Sequence, residues 1–415
     1  MLIVHRLRGP LEVPALRSAL DALTVRHDIL ATRYPADRNQ DGAAIGVVSS
    51  TAGRRWPLEV RTLPAERQDA EIEATRGELG FGRLPFDLEQ GPPVRALLVT
   101  DGGSEHVLAL AVDHLAFDEV SAEILATELA VLYARARGLA APALGPVTQY
   151  QEYARMQTEQ YRAPEGRAAV ARAVGQLYDR GFRPPLPLPA HPGHDPLATG
   201  RTAAVGRALP PLGPAVEARL AALGITPACF FLGVLARAVS SVADGERFGF
   251  QISQSGRHLP GTDTTVGCLT ELAFVEFERA RCADPGELLE DARRQLVRLV
   301  TDPPPLAAAL EQLRAEGRRA EVARLRNRPY LLYHHRQHTP AVPFAPGLRL
   351  TPLHPTPRPG ISREPRLNVA TRSGPDGGEV LLEYVEDAYP RDLVTSIAEA
   401  VAGAVAELGA WAGSR

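Results

Sequence analysis

Residues 110–125 read LAVDHLAFDEVSAEIL. An apolar strand breaks at Asp113 and His114, a second carboxylate follows four residues after the imidazole at Asp118, and a helix opens under Ser121. An imidazole ionises close to neutral pH, so His114 at the end of a buried strand is a candidate proton acceptor, and Asp118 can fold back to fix the turn beneath it. The string HHRQH at 334–338 also has metal-like letters. The strand-like PYLLY before it sends His334 and His335 to opposite faces, which points to core and surface roles rather than to a metal site.

Composition removes several other chemistries. All 46 basic residues are arginine, so a Schiff-base lysine, a phosphate-loop lysine and a kinase-type lysine are excluded. Cys229, Cys268 and Cys282 are odd in number and lack metal-ligand spacing, which argues against a disulfide framework or a structural zinc site. A net charge of -3 supplies no general field for nucleic acid. No secretory signal and no membrane-spanning window is read in the chain, and a reducing cytoplasm is the expected compartment.

At 415 residues the chain has room for two or three domains at roughly 100–200 residues each. LIVHRLRG reads as a strand, VPALRSALDALTVRH as an amphipathic helix, ILATRYP and AIGVVSS as strands, and AERQDAEIEATRGELG as a helix. VRALLVTD and HVLALAVDH form a hairpin around a Gly-rich turn, the second strand ending at His114, and a periodic helix closed by Gly138 follows. Residues 164–200 carry Pro184, Pro185, Pro187, Pro189 and Pro192 and are expected to be a crossover between an N-terminal lobe, 1–163, and a C-terminal lobe, 201–415. In the second lobe the pattern restarts with two helices and the buried strand RFGFQISQSG. Arg- and Glu-rich helices at 285–300 and 306–328, the strand PYLLYHH, a hairpin around GPDGG and a last helix from Arg391 complete it.

Several strings resemble the condensation domains of nonribosomal peptide synthetases, and the resemblance runs from about Leu2 to the final helix. LRGPLEVPALRSALDALTVRHDILATRY is similar to their opening strand and helix with an RHxxLRTxF-like string, and DHLAFDEVS stands in the place of their HHxxxDGxS motif. YQEYARMQ resembles their YxDFAxW segment, FGFQISQSGRHLPG their strand ending in Gly-Arg, and VGCLTEL their IGxFVNT string. The resemblance implies an α/β (α+β) fold of two chloramphenicol-acetyltransferase-like lobes, each a mixed sheet flanked by helices, arranged as a V with a central tunnel. It also implies acyl or peptidyl carrier proteins as partners, each delivering a phosphopantetheine arm, with no cofactor bound by the chain itself; the composition and spacing above point to no metal, membrane or nucleic-acid partner. His114 takes the position of the motif's second His, the base or orienter for an amine attacking a thioester. Ser253, Gly256, Gly267, Thr270 and Glu271 become tunnel-lining candidates.

The chain departs from the family pattern at four places. Asp113 stands where the first His belongs; strand alternation turns it away from His114, and a buried carboxylate there needs donors. Glu119 replaces the motif's Gly, where a long acid could plug the acceptor channel or bind a cationic amine acceptor. Ala31 stands where the family's Arg pairs with the motif's Asp, so Asp118 needs another cation, with Arg26, Arg33 and Arg257 as candidates. Glu271 replaces the Asn of IGxFVNT; with Asp113, Asp118 and Glu119 it would form an acidic lining favouring the imidazolium of His114.

The expected function is a free-standing condensation enzyme acting in trans, which joins a carrier-bound acyl thioester to an amine or hydroxyl acceptor. Two alternatives stand beside it. One is an inactive docking platform that recruits a carrier protein or tailoring enzyme, and the other is a coenzyme A-dependent or epimerase-like relative of the same superfamily.

Overall fold

The computed structural model describes residues 1–415 apart from 37–44, 51–53, 65, 68–80, 82–83, 180–185, 187, 189–192, 327–329, 338–341, 354–359, 375–376 and 415. Most of the helix expected at 65–80, the five crossover prolines and His338 lie outside the described residues. The chain divides into two units: Met1–Gln160 with Ser255–Thr270 and Thr339–Thr356, and Tyr161–Gln254 with Glu271–His338 and Pro357–Arg415. These bounds differ from the expected 1–163, 164–200 and 201–415. A helix, Pro164–Asp179, fills the first part of the expected crossover, its proline sitting at the helix start where a missing N–H costs nothing. Two segments of the second half return to the first unit because a strand selects its partner by register and burial, not by nearness in sequence.

In the first unit a six-stranded sheet runs in the order Val342–Ala345, Leu348–Leu353, Leu2–Arg8, Glu105–Val112, Val94–Thr100, Leu58–Thr62. The run HVLALAV is continuously apolar because both faces of its strand are covered. Val107, Ala109 and Ala111 join Val4, Leu97 and Val99 on one face, whereas Leu108, Leu110 and Val112 meet Leu7 and the helices on the other. Those helices are Val13–Arg26 and Glu119–Ala136, which contribute Leu16, Leu20, Leu23, Leu125, Leu129 and Tyr133. Val94–Thr100 and Glu105–Val112 pair antiparallel as expected, and Asp101 closes their turn by accepting the amides of Gly103 and Glu105. ILATRYP is not one strand: Asp28–Ala31 is a short 3-10 turn, and Thr32–Arg33 pairs with Val47–Val48.

The second unit holds a seven-stranded sheet in the order Ile361–Ser362, Gly200–Leu209, Gly377–Val385, Arg366–Gly374, Tyr330–Gln337, Arg247–Gln254, Glu271–Glu278. Helices Pro227–Val242, Pro285–Thr301 and Arg391–Gly413 join this sheet in one core. Arg391–Gly413 is long and apolar enough by composition to cross a membrane, which corrects the sequence reading. It buries ten residues between Leu393 and Ala412, and all of them except Gly409 are apolar side chains in this same core. The helix expected over 306–328 is two, Leu306–Ala315 and Arg319–Arg326, because Gly317 takes φ +78° after the first, the left-handed conformation that ends helices. Its Arg318 pairs with Glu321 and Glu316, so that face is less cationic than its letters suggest. His335 stacks on Phe231 at 4.6 Å and bonds Thr371 through Nδ1, and burial pushes its pKa down to about 4.

Leu348–Leu353 pairs with Leu2–Arg8 and places Leu350, 1% exposed, in the first unit's core. Leu350→Ala is therefore expected to lower that unit's stability by about 2–5 kcal/mol, read from its denaturant midpoint; an unchanged midpoint would place the strand outside the core.

Candidate active site around His114

The strand Glu105–Val112 stops at Asp113, which begins a 3-10 turn, His114–Ala116, by accepting the Leu115 amide at 3.0 Å. Asp113 is thus half-buried with a backbone donor, as its burial requires. The following helix starts at Glu119 under Asp118, not under Ser121. The Asp118 carboxylate accepts the Ser121 amide at 2.9 Å as the helix N-cap.

Asp118 does more than cap. Its side chain is 1% exposed and meets Arg257, 4% exposed, in a two-pronged pair with both N–O distances 2.9 Å. It also accepts the Ser121 hydroxyl at 2.7 Å and the Leu269 amide at 3.0 Å. Arg257 in turn donates to the carbonyls of Ser255 and Thr265. Of the three candidate cations, Arg257 is the partner. Arg26 is committed to Glu128 and the Gly145 carbonyl, and Arg33 makes no bond to Asp118 among the described residues. The expected acidic lining is corrected at its centre: the charge of Asp118 is met by a guanidinium.

Ser121 is the joint of this network. Its hydroxyl oxygen lies 3.0 Å from the Gly267 carbonyl and accepts the Gly267 amide at 3.1 Å and Arg257 Nη2 at 3.1 Å. Gly267 is required there because a Cβ would come within 2.1 Å of the Tyr150 ring. The segment so held brings Cys268 Sγ to 3.7 Å from His114 Nδ1.

The imidazole is exposed, and Nδ1 lies 2.8 Å from the Phe117 carbonyl oxygen. A carbonyl only accepts, so Nδ1 carries the hydrogen and the neutral ring keeps its lone pair on Nε2. No partner occupies Nε2 among the described residues. Nearby groups stay protonated. Burial, with the Asp118 charge beside it, pushes the Cys268 thiol up to about 11, and burial pushes the Tyr150 phenol up to about 12. Tyr34 is raised by burial and by Asp113. A thiolate nucleophile at Cys268 is thereby disfavoured.

A family model described as Condensation domain matches residues 1–303. The chain belongs to this family. Among curated relatives it is 33% identical over 196 residues to the nonribosomal peptide synthetase kk1B of Curvularia clavata, covering 46% of the chain and 1% of that protein. It is 29% identical over 302 residues to the phosphinothricin tripeptide synthetase PhsC of Streptomyces viridochromogenes, covering 70% of the chain and 26% of that protein. The chain thus spans a small part of the relatives it matches. Among solved structures, SgcC5 from Streptomyces globisporus superposes with TM-score 0.75 at 20% identity, over 98% of this chain and 92% of that one. The X-domain from teicoplanin biosynthesis gives 0.70 at 23%, over 100% and 91%. These likenesses confirm the mixed α/β condensation-domain fold.

Within the family frame, the departures acquire local explanations. The position of the motif's Gly, Glu119, is the first residue of a helix, so the backbone there needs no glycine, and a carboxylate suits the helix N-terminus. Ala31 is buried at the end of the 3-10 turn, and the cation that meets Asp118 is Arg257. Of the lining candidates, Gly256 and Gly267 are buried in the first unit, where Gly256 takes φ +64° and its carbonyl accepts the Tyr153 hydroxyl. Thr270 is half-buried in the same unit, while Ser253 and Glu271 belong to the second. Sequence reasoning missed the parts played by Ser121, Tyr150, Cys268 and Leu269; the Gly in VGCLTEL was the one available signal, since an apolar string rarely spends a glycine without a close approach.

Two outcomes follow. Arg257→Ala leaves a buried carboxylate without its cation and should cost about 3–5 kcal/mol in the first unit's unfolding free energy; a loss below about 1 kcal/mol would show the pair to be incidental. Burial pushes the Glu271 carboxyl up to about 7, against a hydrogen bond with Tyr161. Its folded pKa then exceeds the ordinary value near 4.3, so its stabilising contribution is complete below about pH 4 and is lost as pH rises through about 7. Glu271→Gln should raise the melting temperature by about 2–4 °C at pH 8 and leave it unchanged at pH 4, and equal shifts at both would contradict the assignment.

Proposed function

We propose that this chain is an acyl-transfer enzyme that joins an acyl group, held as a thioester on a carrier-protein phosphopantetheine, to an amine, with His114 as base. The carrying observation is the open Nε2 on an exposed ring whose Nδ1–H is fixed by the Phe117 carbonyl. In the step proposed, the amine nitrogen attacks the thioester carbonyl and Nε2 takes a proton from it. The C–N bond forms, the C–S bond breaks as the tetrahedral adduct collapses, and the imidazolium returns the proton to the departing thiolate. Holding donor and acceptor together supplies much of the remaining acceleration. Glu119 is the residue we assign to a cationic acceptor, with its charge as the attraction.

A second reading has support from specific residues. Asp113 and Glu119 replace two positions of the family motif, which fits a docking platform without chemistry.

The test loads candidate carrier proteins with acyl groups, adds amine acceptors, and follows transfer by intact-protein mass. Hydroxyl acceptors belong in the same panel, because the Streptomyces globisporus structure is a complex with a naphthyl-ethanediol. His114→Ala should slow transfer by about 10²–10⁴-fold. Equal transfer by both proteins removes His114 from the mechanism, and no transfer from any loaded carrier, with retained carrier binding, selects the platform.

A further inference from the structure

Strand Glu271–Glu278 ends the second unit's sheet and pairs on one side with Arg247–Gln254. Among the described residues, its other edge is sealed at a single residue. The Gln295 amide donates to the Glu276 carbonyl at 2.8 Å, and the Glu276 N–H donates to Gln295 Oε1 at 3.0 Å, so one side chain imitates a neighbouring strand. In an antiparallel pair, each residue's N–H and C=O point to one edge and the next residue's to the other. Leu272 and Phe274 therefore present their main-chain groups to the same outer edge as Glu276. Among the described residues no hydrogen bond meets them there. Unpaired edge groups of this kind are a template for another extended chain.

A cavity of about 320 Å³ lies over this stretch, walled by the strand, helix Pro164–Asp179, helix Pro285–Thr301 and the proline segment 303–305. Ala173, Leu177 and Phe277 give it apolar walls. Arg172, Arg298 and Asp302 bring exposed charges of both signs, and none of the three makes an ion pair among the described residues.

We propose that this cleft binds a short extended peptide, which adds main-chain hydrogen bonds at Leu272 and Phe274 and sets its terminal charges against Arg172, Arg298 and Asp302. The edge asks for amides, which an apolar chain lacks, and charges of both signs match a zwitterion better than a polyanion. The stretch from Leu272 to the Gln295 seal at Glu276 runs about 13 Å at ~3.3 Å per residue, room for a tripeptide, and the cavity volume sits at the small end of ligand sites. The site is independent of the chemistry assigned to His114.

The test is calorimetric titration of the full chain with trivaline, trileucine and trialanine, alongside trivaline N-methylated at its central amide. At least one unmodified tripeptide should bind, N-methylation should weaken binding about tenfold, and amide exchange at Leu272 and Phe274 should slow on binding. Phe274→Pro removes the protein's donor at a position where an edge strand tolerates proline and should weaken binding by a similar factor with an unchanged circular dichroism spectrum. Should that variant unfold, Gln295→Ala answers the same question, since freeing the Glu276 edge should tighten binding of tetravaline. Absence of binding by all three tripeptides, or equal affinity for the N-methylated one, overturns the proposal.

Discussion

The pair between Asp118 and Arg257 is the constraint on which the His114 site rests. A carboxylate 1% exposed and a guanidinium 4% exposed have both left water, and that loss is offset by the hydrogen bonds the carboxylate gains. Here the carboxylate is met by two guanidinium nitrogens, the Ser121 amide and hydroxyl, and the Leu269 amide. These donors come from three pieces of chain: the helix after the His114 turn, the loop at Arg257, and the segment 265–269. Satisfying the charge therefore requires all three to be in place together, and their geometry is as rigid as the penalty for leaving the charge unmet is large.

That rigidity reaches the chemistry through the short turn between Asp113 and Asp118. Asp113 fixes its start, Asp118 its end, and the Phe117 carbonyl between them decides which imidazole nitrogen holds the hydrogen. The same network fixes Gly267 against Tyr150 and so sets where Cys268 sits. Burial keeps that thiol and the neighbouring phenol in their neutral forms, so the cluster offers an imidazole lone pair in surroundings of weak hydrogen-bonding groups rather than competing bases. One consequence is that a family motif altered at Asp113 and Glu119 still presents His114 in a usable tautomer, because neither altered side chain is what holds the ring.

Much of this was legible in the sequence where local pattern decides structure. The run HVLALAV, broken by Asp113 and followed by helical periodicity, announces strand, turn and helix, and the DGGSE turn announces the hairpin. The exact cap was not, since both Asp118 and Ser121 are good capping residues and only the three-dimensional network shows that one caps while the other links it to Gly267. The need for a cation at Asp118 was readable from Ala31, but the choice of Arg257 over Arg26 and Arg33 was not, because it depends on a loop 139 residues away in sequence returning to the turn. Strand Leu348–Leu353 escaped for the same reason: its letters show a strand, whereas its pairing with Leu2–Arg8 is a property of the folded chain. The break at Gly317 was open to reading, and periodicity on both sides concealed it.

The tautomer of His114 is the claim nearest to the chemistry, and nitrogen-15 spectroscopy of the imidazole reads it directly. With the protein labelled at histidine and the His114 signals assigned by difference against a His114 variant, Nδ1 should appear as the protonated ring nitrogen and Nε2 as the unprotonated one at mildly alkaline pH. A spectrum in which Nε2 carries the hydrogen, or in which the two tautomers exchange with equal populations, would contradict the anchoring by Phe117 and with it the assignment of Nε2 as the base.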